Sequence, residues 1–261
     1  MLFSWLRNRR RKRLRNALFS PEWEAILSDN FHHDRSLNDA ERVRLRRDIQ
    51  VFIAEKHWEG VYGQTIDDEV RVTVAAQACY LVLGLDIGWY DRVQSILIYP
   101  DAYSAPQQFT VSGSFVIEGR SHRLGEAWYR GPVVLSWPDV LAGGRRERRT
   151  ANLVFHEFAH ELDMLNGRSA DGTPPMETPA EAERWNATMS AEHRRLCQAC
   201  RFGQPSLLDC YGTENRAEFF AVATETFFQH PVRLRRRHAE LYEALSGFYQ
   251  QDPAARLLPA P

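Results

Sequence analysis

The sequence has no run of about 18 apolar residues, which a membrane-spanning helix requires. Its four cysteines are too few and too unevenly spaced for a disulfide scaffold, which indicates a reducing compartment. Residues 1–15 contain no acidic side chain, and their few apolar residues precede the basic ones, unlike the order in a signal peptide. We therefore expect neither a membrane span nor a disulfide-rich secreted domain, and we expect a cytoplasmic location.

The composition is that of an ordinary globular protein. Apolar residues make up 44 % of the 261 residues and charged residues 26 %, so a sizeable core is expected. Seven basic residues lie between Arg7 and Arg15, and the remaining 246 residues carry 26 basic and 34 acidic side chains. We predict a basic N-terminal arm over residues 1–18, helical or flexible, which is dispensable for folding. The arm is expected to be solvated, with contacts to polyanions or an anionic membrane as the alternative.

Hydrophobic periodicity predicts an α+β fold: a predominantly helical single domain over residues 19–261 with a small β-sheet. Residues 66–83 are apolar nearly all round, which predicts a buried helix. Short strands are predicted over 93–99, 109–120 and 131–137. Further helices are predicted over 36–58, 150–166, 180–200, 215–229 and 232–250. The helix at 150–166 would begin at Thr150 or Asn152 and stop at Gly167 in a left-handed conformation.

The helix at 150–166 carries the pattern His156-Glu157-Phe158-Ala159-His160. Histidines four residues apart lie on one helical face and can bind one tetrahedral zinc ion. Glu157 is placed to accept a proton from a metal-activated water. At this histidine and glutamate content, roughly 0.02 such patterns are expected by chance. The pattern therefore predicts a zinc-binding helix of the zincin type.

A catalytic zinc site requires a third protein ligand and an open position. The metzincin continuation would need glycine and histidine where Asp163 and Asn166 stand, so that class is excluded. Glu218 and Glu225 are the remaining candidates, because both lie among aromatic and small residues and share a helical face. From the residues alone, one of them is a ligand and the other its neighbour.

Three stretches, NLVFHEFAHELDMLNG, CYGTENRAEFFAVATETFF and GFYQQDP, resemble the Mlc titration factor A family of zinc peptidases. The segments VRVTVAAQACYLVLGLD and SILIYP fit as well, so the resemblance covers about residues 20–255. The family's zinc site is similar to that of anthrax lethal factor, a gluzincin. The resemblance implies Glu218 as third ligand and Tyr211, seven residues earlier, as a catalytic residue that stabilises the oxyanion.

The resemblance also implies two classes of function. The first is a zinc peptidase, of aminopeptidase type on short peptides, with one zinc ion per chain. The second is binding of an Mlc-like transcriptional repressor, either as an added role or as the main one. No helix-turn-helix or other nucleic-acid module is present, so we expect no direct sequence-specific DNA binding.

Several residues have weaker signals. Asp163 and Glu225 are candidates to accept the second ring N–H of a ligand histidine. The spacing of Cys197 and Cys200 fits a zinc knuckle or a redox pair, but no second pair follows and Cys210 complements it poorly.

Overall fold

The computed structural model describes residues 2–101, 108–111, 115–118, 131–145, 151–167 and 169–257. Within these ranges the helices are α1 (Leu2–Arg15), α2 (Pro21–Asn30), α3 (Asp39–Glu55), α4 (Asp68–Leu81), α5 (Trp137–Arg145), α6 (Leu153–Asp163), α7 (Pro179–Arg201), α8 (Arg216–Gln229), α9 (Pro231–Arg237) and α10 (Ala239–Tyr249). The strands are β1 (His57–Gly60), β2 (Ser95–Tyr99), β3 (Gln108–Val111), β4 (Phe115–Glu118) and β5 (Val133–Ser136). The α+β prediction is confirmed: the chain is mostly helical, with a small parallel sheet.

Two helices form the centre of the core. Residues 72–81 of α4 are all buried, as the apolar run predicts, and so are residues 217–229 of α8. The N-terminus of α4 is capped by Asp67, whose side chain accepts a hydrogen bond from the backbone N–H of Val70. Helix α6 packs against both central helices, so its polar positions lie at the edge of a rigid apolar core.

The three-stranded sheet has the order β1-β2-β5, and both pairings are parallel. Ile96 lies opposite Trp58 on one side and Val133 on the other. Ile96 and Ile98 belong to the main core, whereas Leu97 packs with Tyr99 on the other face. The segment predicted as β-structure over 109–120 contains two strands, β3 and β4, which pair antiparallel. Residues 112–114 and 119–120 of that prediction lie outside the described residues.

The basic N-terminal segment is a helix that lies against the body. Arg11 of α1 is only 7 % exposed, and its guanidinium binds Glu55 at 2.6 Å and Asp91 at 2.5 Å. Arg15 pairs with the buried Asp48 at 3.0 Å. The boundary at residue 18 stays a prediction, but α1 is attached to the domain through buried charges and is not a free tail.

Three details differ from the prediction. The residues after Lys56 form strand β1 instead of the last turn of α3, because their backbone pairs with β2. The helix predicted over 232–250 is broken at His238, whose buried ring binds Glu192 at 2.6 Å. Gly167 has φ of −157°, an extended conformation, because the chain leaves α6 through a 3-10 turn over Met164–Asn166.

Cys200 and Cys210 form a disulfide bond with a Cα–Cα distance of 5.8 Å. The spacing of Cys197 and Cys200 suggests a pair, but Cys197 is a free thiol, as is the buried Cys79. The pairing follows from tertiary structure, since the end of α7 and the turn before α8 are brought together. A disulfide is uncommon in a reducing compartment.

Among the described helices, none has the length and apolarity needed to cross a membrane.

Candidate metal centre

Helix α6 places His156 and His160 on one face. Asn152 caps the helix, since its Oδ1 accepts a hydrogen bond from the backbone N–H of Phe155 at 2.9 Å. The opposite face is apolar and fully buried; it consists of Val154, Phe155, Phe158, Ala159 and Leu162. Packing of that face therefore fixes the helix and leaves both imidazoles half-buried at the edge of the core.

Helix α8 brings Glu218 to the same point. Asn215 caps this helix and accepts the backbone N–H of Glu218 at 3.0 Å, so Glu218 lies in the first turn. Its side chain is 7 % exposed. Because α8 packs along α6, the carboxylate faces the two histidines from the neighbouring helix.

The three side chains converge within metal-binding range. Nε2 of His156 lies 3.0 Å from Oε2 of Glu218 and 3.2 Å from Nε2 of His160, and the His160–Glu218 distance is 3.5 Å. Two ligand atoms on a tetrahedral zinc ion, each about 2.0–2.1 Å from it, lie about 3.3 Å apart. The spacing and the nitrogen and oxygen donors therefore fit a divalent ion of this kind. In the described part of the chain, no other group of His, Cys, Asp or Glu converges in this way.

Glu225 lies two turns after Glu218 on α8 and reaches the other side of the same imidazole. Its Oε1 is 2.8 Å from Nδ1 of His156. Burial lowers the pKa of His156, but hydrogen bonds with Glu218 and Glu225 raise it by more. Burial raises the pKa of Glu218, whereas its hydrogen bonds to the two histidines lower it well below its usual range. The carboxylates thus favour a positive charge here, which a divalent cation provides.

Glu157 follows His156 directly and lies beside the cluster. Burial raises its pKa; the charges of His156 and His160 lower it, and those of Glu218 and Glu225 raise it further. A carboxyl group with a raised pKa takes up and releases a proton closer to neutral pH than an ordinary glutamate. A titratable carboxyl group therefore lies directly beside the three converging side chains.

Tyr211 lies in a 3-10 turn, Cys210–Thr213, that immediately precedes α8. Its ring centroid is 5.9 Å from that of His156, and 41 % of the residue is exposed. Asp209 accepts the backbone N–H of Tyr211 at 2.9 Å, and the Cys200–Cys210 disulfide ties the same turn to α7. The phenol is therefore at the mouth of the cluster, on a fixed turn.

Asp163 bonds to a loop and not to a histidine ring, the partner that was considered for it. It is fully buried, and its Oδ2 accepts the backbone N–H of Gly172 at 2.7 Å. Among the described residues, neither its Oδ1 nor Nδ1 of His160 has a hydrogen-bond partner. Of the two candidates for the outer hydrogen bond to a histidine, Glu225 makes it to His156 and Asp163 holds the loop after α6.

Sequence reasoning missed two polar residues behind the cluster. Gln77 lies in the buried helix α4 and bonds to Asn152, which the sequence predicts only as a possible helix start. The one available signal was a lone glutamine in the apolar run VRVTVAAQACYLVL. A glutamine buried in such a run needs a partner, but the sequence does not show which one.

Two histidines and a glutamate that converge from packed helices are of the kind that binds a divalent metal ion. A model of the family of glucose-regulated metallopeptidases M90 matches residues 5–250. The chain is 37 % identical to the protein slr2042 of Synechocystis sp., over 94 % of this chain and 89 % of that protein. It is 31 % identical to Mlc titration factor A of Escherichia fergusonii (93 % and 90 % covered) and of Yersinia pestis (85 % and 82 %).

The chain therefore belongs to the M90 family of glucose-regulated metallopeptidases. Membership in this family implies a metal cofactor. The match includes most of α1, which agrees with the attachment of that helix to the rest of the fold.

Proposed function

We propose that this protein is a zinc-dependent peptidase of aminopeptidase type that acts on short peptides. The observation that carries the proposal is the convergence of His156, His160 and Glu218 within 4.8 Å of one another. In this proposal they are the three protein ligands of one zinc ion, and α6 is a zincin-type helix. Bound zinc supplies Lewis acidity, which lowers the pKa of water to about 7 and polarises the scissile carbonyl.

Glu157 acts as general base and then as general acid. It accepts the proton of the attacking water and passes it to the amine that leaves when the peptide bond breaks. Its place in the sequence supports this role, because Glu157 directly follows His156 and so lies next to the proposed metal ligands. Glu225 accepts a hydrogen bond from Nδ1–H of His156 and so keeps Nε2 directed at Glu218 and His160.

Tyr211 stabilises the negative charge that develops on the former carbonyl oxygen. Its hydroxyl donates a hydrogen bond to that oxygen in the transition state. The position of its ring beside His156, on a turn capped by Asp209, supports this role. A phenol held in place before the reaction costs little reorganisation during it.

The experiment that tests the proposal is hydrolysis of amino-acid p-nitroanilides by the purified protein, with and without a zinc chelator. Substrates with a free amino terminus should be cleaved, N-acetylated ones should not, and zinc should restore chelated activity. Glu157→Gln should retain zinc but lose about 10²–10⁴-fold in kcat. Glu183→Gln, at an exposed position of α7, is the matched control and should be unchanged. Wild-type activity in Glu157→Gln would refute the mechanism.

The second candidate function is binding of an Mlc-like repressor, with peptidase activity either accompanying it or secondary. It is favoured by the relatives named Mlc titration factor A, which match over most of the chain. The proposal places the protein in the cytoplasm, where a transcriptional repressor acts. A pull-down of such a repressor by the Glu157→Gln protein separates the two functions: retained binding without hydrolysis shows that titration does not need catalysis.

A further inference from the structure

A chain of buried polar groups leads from the centre of the core to His156. Its members are Gln77 in α4, Asn152 before α6 and Glu225 in α8, which are 0 %, 1 % and 6 % exposed. They come from three elements that are distant in sequence, and each bonds to the next. Buried polar side chains are costly unless they are paired, so this arrangement restricts how the three helices can pack.

Asn152 is the junction of the chain, because each of its polar groups has a different partner. Its backbone N–H donates to Oε2 of Glu225 at 2.5 Å. Its side-chain Nδ2 donates to Oε1 of Gln77 at 2.9 Å, while Oδ1 caps α6 through the N–H of Phe155. The start of the metal-binding helix is thereby tied to both α4 and α8.

Gln77 is itself held in one orientation. Its Nε2 donates to the carbonyl oxygen of Val140 at 3.0 Å and to that of Thr73 at 3.2 Å. Both amide protons are used in this way, so Oε1 is left to accept from Asn152. Gln77 is therefore a fixed acceptor, and it determines where the Asn152 amide lies.

Helix α5 packs against this pair through two glycines. A Cβ at Gly143 would lie 2.8 Å from Cγ of Asn152, and one at Gly144 would lie 2.3 Å from the carbonyl oxygen of Asn30 and 3.1 Å from Nε2 of Gln77. The distances to Asn152 and Asn30 are both below 3.0 Å, which is closer than Cβ atoms approach other atoms in proteins. Only glycine at these positions allows α5 to lie this close to the buried amides.

As a result, each carboxylate oxygen of Glu225 accepts one hydrogen bond. Oε1 of Glu225 binds Nδ1 of His156, and Oε2 binds the backbone N–H of Asn152, so the group is held at both ends. We propose that Gln77 and Asn152 are positioning residues for the metal site: through Glu225 they fix the orientation of the His156 ring. This inference rests on the proposed metal site, to which neither residue contributes a ligand.

The test compares variants that disturb this chain with one that removes a cap elsewhere. Gln77→Met keeps the length of the side chain and removes the oxygen that accepts the hydrogen bond from Nδ2 of Asn152. Asn152→Asp keeps the oxygen that caps α6 and removes the donor to Gln77, so it tests the inference independently of the buried change at position 77. Asn38→Ala is the control, since Asn38 caps α3 in the same manner as Asn152 caps α6.

Zinc affinity is measured by competition with a chromophoric chelator, and the ligand geometry by the visible absorption spectrum of the protein loaded with Co²⁺. Loss of outer hydrogen-bond partners of a metal ligand weakens binding by about 10–100-fold. Gln77→Met and Asn152→Asp should weaken zinc binding by about 10-fold, the lower end of this range because they act through Glu225, and change the Co²⁺ spectrum. Asn38→Ala should lower the melting temperature and leave affinity and spectrum unchanged.

Wild-type affinity and spectrum in folded Gln77→Met and Asn152→Asp would overturn the positioning role. If lower stability alone weakened zinc binding, Asn38→Ala would weaken it to a similar degree. That result too would overturn the positioning role. If the wild-type protein binds neither Zn²⁺ nor Co²⁺, the proposed function itself fails, and the variants are not needed to show it.

Discussion

Oε1 of Glu225 lies 2.8 Å from Nδ1 of His156, on a ring whose Nε2 is 3.0 Å from Glu218. One imidazole is thus held between two carboxylates of the same helix, seven residues apart. Only a neutral imidazole with its proton on Nδ1 can both donate to Glu225 and offer a lone pair at Nε2 to a metal. Helix α8 therefore contacts both ring nitrogens of His156, through Glu218 at Nε2 and Glu225 at Nδ1.

The first prediction concerns the metal ligands. His156→Ala and His160→Ala should each lose bound zinc, because a site with two remaining protein ligands binds the ion weakly. Metal content per chain, determined by mass spectrometry on protein purified with zinc, should fall from about one to near zero. His57→Ala, at an exposed position of β1, should keep full occupancy. Full occupancy in both site variants would mean that the metal is bound elsewhere.

The second prediction concerns Tyr211. Tyr211→Phe should keep zinc and lose activity mainly in kcat, by about 10²-fold or more, because the hydroxyl acts on the transition state. Tyr62→Phe is the control, since Tyr62 is exposed and packs near Tyr99 instead of the cluster. Steady-state kinetics on a p-nitroanilide measures kcat and KM for both variants. A change confined to KM would assign Tyr211 to substrate binding alone.

The third prediction concerns pH and Asp163. Burial raises the pKa of this carboxyl group from 3.8 to about 6, although the N–H of Gly172 partly offsets the effect. Between these two values the folded state binds more protons than the unfolded state, so the stability falls as the pH rises. Above pH 6 the full cost of a buried charge is present, at most about 3 kcal/mol.

Asp163→Asn keeps an oxygen for Gly172 and removes the charge. Its free energy of unfolding should therefore exceed that of the wild type at pH 7 and approach it at pH 4. Urea unfolding at several pH values measures the difference, and Asp29→Asn, at an exposed position, should give curves parallel to the wild type. A wild-type protein that gains stability relative to Asp163→Asn between pH 4 and 7 would contradict the assigned direction.

The fourth prediction concerns the first helix. Arg11→Met should lower the free energy of unfolding by about 2 kcal/mol, since it leaves Glu55 without this partner and Asp91 with Arg7 alone. Arg13→Met, on the exposed side of the same helix, should change it by less than about 0.5 kcal/mol. Urea unfolding of both proteins gives the comparison. Equal stability would restore the simpler expectation that residues 1–18 are dispensable for folding.

Much of the fold could be predicted because local patterns decide it. The apolar run at 66–83 gave the buried helix α4, and Asn152 was one of two predicted starts of α6. Histidines at positions i and i+4 share a face of any α-helix, so the pairing of His156 with His160 needed no tertiary information. The His156–Glu157–His160 pattern therefore predicted the two imidazoles that the structure brings together.

Other features depend on which elements become neighbours. Glu218 and Glu225 share a helical face, so their spacing could not separate their roles; the resemblance to a family suggested Glu218. The structure shows a physical difference: the offset between α6 and α8 puts Glu218 at Nε2 and Glu225 at Nδ1 of His156. The break at His238 and the Cys200–Cys210 bond likewise need partners that lie far away or on another element.

The sequence by itself determined the helical class of the fold, the face that carries both histidines and the residue types of the candidate site. Helical periodicity and side-chain chemistry are local properties, so they do not depend on how the helices pack against one another. Only the tertiary structure decided that Asp163 binds Gly172, that Arg11 of α1 is buried between Glu55 and Asp91, and that Gln77 lies behind the site. Those contacts join segments from nine to eighty residues apart, and burial of polar groups restricts which segments can meet.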